Sequence, residues 1–274
     1  MDVSEKELKT NYTKLSSKGA KGNVYLNSDK TEIVKIFKSL YNIERRRKTL
    51  DYLMMFPLIS GSAYPKDIVM ENGYFMGYTS KYYKNCCEFG SWGALKYSFD
   101  AKIKAIKDVD SQLKELHDRN IIFHDVNNCN LLIDKDGGHI IDFEDVVCPN
   151  IIGRYLSKYI LKHQERKLGY SKQEDQFKLL ISSLNLLYGV KFEKFFTGER
   201  DIDTMLFFVK ENKELYEFIE NYFISFDWNN EEAFPYLSEV IDKIDEEKIK
   251  HTVRKIKFRT KTASFRKKSR KFLD

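Results

Sequence analysis

The sequence lacks the features of a disulfide-bonded, zinc-binding or membrane-spanning protein. Its four cysteines form no Cys-x-x-Cys pair and its five histidines are scattered, so neither a disulfide framework nor a structural zinc site is predicted. No apolar run approaches the roughly 18 residues that a membrane-spanning helix needs. The first ten residues are charged and contain no apolar signal core, so we expect a cytoplasmic protein.

The length and the charge distribution indicate a body and a tail. The 274 residues exceed the roughly 100 to 200 of one typical domain, so two lobes or domains are expected. Segment 248–274 contains 12 Lys or Arg and one acid, and the net charge of +6 combines +11 there with −5 in the rest. This basic tail could contact an anionic membrane surface or nucleic acid, or could be a solvated terminus docked on the acidic body.

Hydrophobic periodicity divides the body into a strand-rich part and a helical part. Apolar and polar residues alternate from about residue 12 to residue 80, which predicts a small antiparallel sheet. Leu40, Ile43, Leu50 and Leu53 recur at helical spacing, so one helix beginning near Ser39 should interrupt the strands. Further helices are predicted over 101–117, 175–188, 206–223 and 228–249, with a hairpin joining 131–133 to 139–141.

Two short stretches, one just before the predicted hairpin and one at its end, are rich in acids and amides. They read His124-Asp125-Val126-Asn127-Asn128-Cys129-Asn130 and Ile141-Asp142-Phe143-Glu144-Asp145. Asp125 is followed five residues later by Asn130, and Asp142 follows an apolar run. Two acids and an amide in this order can hold a nucleoside triphosphate with its magnesium, which indicates phosphoryl transfer.

Taken in order, these features resemble the protein-kinase-like superfamily over about residues 15 to 188. Residues 17–24 are similar to the Gly-x-Gly-x-x-Gly-x-Val loop, with Ser17 replacing the first glycine, although two glycines alone indicate only a turn. The resemblance implies an α+β bilobal fold, in which a small antiparallel N-lobe sheet with one helix joins a larger, mostly helical C-lobe. The expected boundaries are 1–83 for the N-lobe, 84–247 for the C-lobe and 248–274 for the basic tail.

The resemblance also implies how ATP would be bound. Gly19, Gly22 and Val24 of the loop would approach the phosphates and the base, and Leu132 would form the floor of the adenine site. Lys35 would reach the alpha and beta phosphates, held by an acid from the following helix. Glu44 is the expected acid, although it could instead pair with Lys48 one turn later.

The same resemblance implies roles for the two central stretches. Asp125 would orient the attacking hydroxyl or accept its proton, and Asn130 and Asp142 would bind Mg²⁺. Asp175 would hold the backbone of the loop that carries Asp125, or would only begin an ordinary helix.

Several positions depart from the protein-kinase pattern. Either Phe123 replaces the usual histidine or one residue is missing before Asp125. Asn127 replaces a lysine, and Glu144 replaces a glycine, as in choline and other small-molecule kinases. No arginine precedes Asp125, and no Ala-Pro-Glu lies between Phe143 and Asp175. We expect a Ser/Thr protein kinase that uses ATP and Mg²⁺. The alternatives are a small-molecule or glycan kinase, and a pseudokinase whose tail binds a membrane or nucleic acid.

Overall fold

The structure is a computed structural model that describes residues 5–15, 22–39, 41–149, 160–161, 166–167, 171–190, 202–221 and 236–255. The expected phosphate-loop residue Gly19 lies outside these ranges, as does the basic tail beyond residue 255. No helix in the described ranges is both long and apolar enough to cross a membrane.

The amino-terminal part is built on a five-stranded antiparallel sheet. In the spatial order β1-β2-β3-β5-β4, its strands are β1 (Thr13–Lys14), β2 (Gly22–Leu26), β3 (Glu32–Phe37), β5 (Tyr74–Lys81) and β4 (Pro65–Glu71). Helix α1 (Glu5–Asn11), which the sequence did not predict, precedes the sheet. The predicted helix is α2 (Ile43–Leu53), and it begins later than expected because Asn42 has a left-handed backbone, with a φ of 58°.

The register of this sheet brings three side chains together on one face. Lys35 of β3 is paired with Val24 of β2 on one side and with Tyr78 of β5 on the other. Side chains of directly opposed antiparallel residues lie on the same face, about 5 Å apart. The sheet therefore presents a lysine between a valine and a tyrosine.

The carboxyl-terminal part is mostly helical. A three-stranded sheet in the order β6-β7-β8 contains β6 (Cys87–Glu88), β7 (Leu131–Ile133) and β8 (Gly138–Ile140), and confirms the predicted hairpin. A short pair consists of β9 (Ile160–Leu161) and β10 (Arg166–Lys167). The helices are α3 (Phe99–Asp118), α4 (Lys172–Tyr188), α5 (Ile202–Val209), α6 (Lys213–Ile219) and α7 (Ser238–Ile241), with a 3₁₀ turn at Ala94–Lys96 and helical residues at 246–255.

Two of the predicted helices are interrupted. The helix expected over 206–223 is divided into α5 and α6, which meet at the buried Asn212. Asn212 Oδ1 accepts a hydrogen bond from the backbone N–H of Asp245 at 2.8 Å, so a contact distant in sequence competes with helix continuation. Within the described part of the segment expected at 228–249, α7 and the helix from residue 246 are also separate.

Helix α4 is the buried centre of the helical part. Every residue from Gln173 to Tyr188 is buried, and the helix predicted over 175–188 is confirmed. The N-cap is Ser171, whose hydroxyl accepts from the N–H of Glu174 at 3.1 Å, so Asp175 is not needed for capping. One apolar core continues from the sheet into the helices, and the architecture is the expected α+β arrangement of a small antiparallel sheet followed by a larger, mostly helical part.

Candidate active site

A cleft of about 430 Å³ lies between the first sheet and the hairpin β7–β8. The sequence-predicted residues that line it are Gly22, Val24 and Lys35 from the sheet, and Asp125, Asn130, Leu132 and Asp142 from the other wall. Side chains more than 100 positions apart in the chain thus converge on one space. Glu44 does not line this cleft.

One end of the cleft is apolar. Ala63, Tyr83 and Leu132 form a buried cluster there, and Cys86 and Ile141 pack against it. The Tyr83 ring stacks on His139 with ring centroids 3.7 Å apart, which holds this wall in place. A flat, uncharged group is therefore the best fit for this end.

The other end is charged and centres on Lys35. Its ammonium donates to Asp142 Oδ1 and to Glu144 Oε1, the latter at 2.6 Å. Burial alone would lower the pKa of Lys35, but the carboxylates of Glu144 and Asp142 outweigh burial, so its pKa is raised. Lys35 therefore stays a cation inside the cleft.

Glu144 lies behind Lys35, away from solvent. Its side chain is 1% exposed, whereas that of Asp142 is 24% exposed. Glu144 Oε2 accepts from the Tyr78 hydroxyl at 3.0 Å. Burial raises the pKa of Glu144 and the nearby Asp142 charge acts in the same direction, whereas the Lys35 ammonium group opposes both. Asp142 thus faces the cleft and Glu144 faces the interior.

The structure differs from expectation at Glu44. Among the described residues, the acids that pair with Lys35 are Asp142 and Glu144, and Glu44 is exposed. Glu44 instead lines a separate groove of about 720 Å³ with Phe37 and Phe75. Glu44 lies outside the buried face of α2, which consists of Arg46, Thr49, Leu50 and Leu53.

The loop that carries Asp125 is held by amide side chains. Asn127 Nδ2 donates to Asp125 Oδ1 at 2.9 Å, and Asn127 Oδ1 accepts from the N–H of Cys129 at 2.9 Å. Asn130 Nδ2 donates to the Asp125 carbonyl oxygen, also at 2.9 Å. The two asparagines therefore fix both the carboxylate and the backbone of Asp125.

Each of the two central stretches contains one residue with a strained backbone. His124 has a φ of 63° and Asp142 a φ of 75°, in the left-handed region that non-glycine residues seldom occupy. The N–H of Asp125 donates to the carbonyl oxygen of Phe123 at 2.7 Å, closing a three-residue turn around His124. Strained backbone of this kind persists only where surrounding contacts enforce it, and it is frequent in functional sites.

Asp175 supplies one of those contacts. Its side chain accepts from the backbone N–H groups of Phe123 and His124, each at 2.7 Å. His117 Nε2 lies 2.9 Å from the same carboxylate, and both side chains are buried. The expectation that Asp175 holds the loop backbone is confirmed.

Phe123 occupies an apolar position under the loop. It is fully buried and meets Phe143 edge to face, with ring centroids 5.3 Å apart. An aromatic pair of this geometry contributes about 0.5–1.5 kcal/mol beyond burial. The phenylalanine thus joins the two central stretches through their apolar side chains.

The polar end of the cleft has oxygen donors suitable for Mg²⁺. In the described ranges, no three His, Cys, Asp or Glu residues cluster as a metal site. Magnesium typically uses only one or two protein carboxylates and takes its other ligands from phosphates and water. Asp142 and Asn130 both belong to the cleft wall, and the carboxylate of the first and the side-chain amide oxygen of the second fit that ligand set.

Sequence reasoning missed three residues of the site. Glu144 was noted only as a departure, yet an acid directly after an apolar strand and Asp142-Phe143 was the available signal. Asn127 was interpreted as a lost cation, whereas it anchors Asp125. Tyr78 gave no signal, because a tyrosine in a strand is ordinary.

No protein-family model matches the sequence, and no curated protein matches it. A search of solved structures finds a chain from the yeast RNA Pol II CTD kinase CTDK-1 complex, with 16% sequence identity and a TM-score of 0.49. The match covers 65% of this chain and 62% of that chain.

Proposed function

We propose that this protein is an ATP- and Mg²⁺-dependent phosphotransferase that transfers the gamma phosphate to a hydroxyl group, with Ser or Thr of a protein as the acceptor. The observation that carries the proposal is the two-ended cleft. An apolar end suited to adenine leads to a polar end with one buried cation and the cleft-lining Asp125, Asn130 and Asp142. This is the distribution of groups that phosphoryl transfer from a nucleotide requires.

Each cleft residue has a role in this proposal. Lys35 binds phosphate oxygens, while Asp142 and Asn130 hold Mg²⁺, which neutralises charge on the phosphates when it is bound. Asp125 orients the attacking hydroxyl and accepts its proton. Gly22, Val24 and Leu132 contact the nucleotide, and we place the lobe boundary near residue 83.

A protein acceptor is supported by the order of the motifs and by the buried helix α4 beneath the loop. A second candidate is a small hydroxylated acceptor such as a sugar or an amino alcohol. Two observations favour it: Asn127 adds no cation beside Asp125, and Glu144 follows Asp142-Phe143. The two candidates share the donor site and differ only in the acceptor.

Transfer should require magnesium. With labelled ATP, Mg²⁺ and a mixture of general protein acceptors, we expect labelled phosphoprotein, and we expect excess EDTA to abolish it because the phosphate charge is then unneutralised. The measurement is label retained in protein after electrophoresis, with parallel reactions containing sugars, choline and aminoglycosides.

The outcomes separate the candidates. Label found only in a small molecule would reject the protein acceptor and retain the donor site. Bound ATP without any transfer would reject the enzyme and favour a binding module. Label that is unaffected by EDTA would contradict the magnesium requirement.

A further inference from the structure

Lys35 is held by an acid that the helix beside it does not provide. Helix α2 starts with Ile43 and contributes Glu44 to the outer groove, away from Lys35. A buried cation such as Lys35 needs a carboxylate partner. That carboxylate has to stay paired with Lys35 when other groups in the cleft bind a ligand. In the described part of the chain, Asp142 and Glu144 are the two carboxylates paired with Lys35.

Asp142 is poorly suited to hold Lys35 during the proposed reaction. It is the more exposed of the two acids and lines the cleft, where it is also the carboxylate available to a cation. An oxygen that ligates a cation is a weaker partner for an ammonium group. Glu144 is not among the residues that line the cleft, so a ligand there does not contact it directly.

Both carboxylate oxygens of Glu144 are engaged by neighbours in the sheet. Oε1 accepts from Lys35 at 2.6 Å and Oε2 accepts from Tyr78 at 3.0 Å. Lys35 and Tyr78 are themselves directly paired across β3 and β5. Glu144 therefore bridges two adjacent strands, and its orientation is set by two hydrogen bonds rather than one.

Asp145, which follows Glu144, forms an ion pair with helix α2. Asp145 Oδ1 accepts from Arg45 Nη2 at 2.6 Å, and the ring of Phe37 lies 4.6 Å below the guanidinium of Arg46. Here the helix contributes the cation and the segment after Asp142 contributes the acid. The helix is thus attached to the site without supplying an acid to Lys35.

We propose that Glu144 is the positioning residue of Lys35: it holds the ammonium group at the polar end of the cleft while Asp142 ligates the cation. Glu144 touches neither nucleotide nor acceptor in this assignment, and acts only through Lys35 and Tyr78. The inference rests on the proposed function, because it gives Lys35 the task of binding phosphate.

The test compares three substitutions in the full chain. Glu144→Gln removes the charge that holds Lys35, Glu44→Gln tests the acid expected from the sequence, and Asp110→Asn is a matched control. Asp110 is also a buried acid, 1% exposed, which accepts from the N–H of Ser238 at 2.9 Å and does not line the cleft. The measurements are the Kd of the non-hydrolysable analogue AMP-PNP in EDTA by calorimetry, the kcat and KM for ATP, and the melting temperature.

Glu144→Gln should weaken AMP-PNP binding in EDTA by about 10- to 100-fold, the usual effect of losing a charged hydrogen bond. It should also lower kcat by about 100-fold, because a misplaced Lys35 misaligns the phosphates. Glu44→Gln should change the Kd by less than about twofold. Asp110→Asn should lower the melting temperature and leave the Kd of the folded protein unchanged.

A Glu144→Gln variant that melts earlier but binds AMP-PNP normally would overturn the inference, as would a larger loss in Glu44→Gln. If Glu144→Gln does not fold, Tyr78→Phe removes one of the two bonds that orient Glu144, and should raise the Kd about 3- to 10-fold; an unchanged Kd there also overturns it. A wild-type chain that binds no AMP-PNP even when Mg²⁺ is present would reject the proposed function together with the inference. A wild type that binds and transfers, with an unaffected Glu144→Gln variant, rejects the inference alone.

Discussion

Asp142→Asn is expected to reduce phosphate transfer by at least about 1,000-fold while leaving the protein folded. The amide keeps the size of the side chain but loses the charge that Mg²⁺ requires from this wall of the cleft. The fold should survive, because Asp142 and Glu144 are like charges that share one lysine, and removing one relieves their repulsion. The measurements are single-turnover transfer from labelled ATP and a thermal melt.

Asp136→Asn provides the matched control for this variant. It makes the same chemical change on the turn between β7 and β8, where the side chain is 69% exposed and outside the cleft. Transfer should remain at the wild-type rate. Activity within tenfold of wild type in Asp142→Asn would contradict the role of Asp142.

Asp175→Ala is expected to lower the free energy of unfolding by about 3–5 kcal/mol, because the substitution leaves buried N–H groups and a buried histidine without their acceptor. For a chain of this size, the melting temperature should fall by about 6–20 °C. Below that temperature, transfer should still be reduced, because the loop that carries Asp125 has lost its support. Thermal melts and transfer rates at 15 °C measure the two effects.

Ser171→Ala tests the competing interpretation on the same helix. Loss of its N-cap hydrogen bond should cost only about 1 kcal/mol and should leave transfer unaffected. If Asp175→Ala were no more destabilising than Ser171→Ala, Asp175 would be an ordinary residue of a helix terminus. The pair therefore separates helix capping from loop support.

Periodicity in the sequence predicted the first sheet, helices α2, α3 and α4, and the β7–β8 hairpin, because these elements depend mainly on local patterns of burial. The division between α5 and α6 could not be predicted in this way. It depends on Asn212 meeting the backbone of Asp245, 33 positions later, and such a contact leaves no periodic trace.

In the candidate site, too, some residues could be predicted from the sequence and others could not. The order of Lys35, Asp125, Asn130 and Asp142 along the chain predicted residues that the structure brings to one cleft. The partner of Lys35 could not be chosen by spacing, because that choice depends on which side of α2 faces β3. Glu44 lies outside the buried face of α2 and lines the outer groove instead.

The close spacing of Asp142, Glu144 and Asp145 has a consequence for control of the site. The acid facing the cleft, the acid holding Lys35 and the acid holding α2 belong to one segment of four residues, so they move as a unit. Swinging α2 outward would break the pair between Arg45 and Asp145 but leave Lys35 with its acid. A regulator of this protein would therefore have to act on that segment, or on entry to the cleft, to switch the site off.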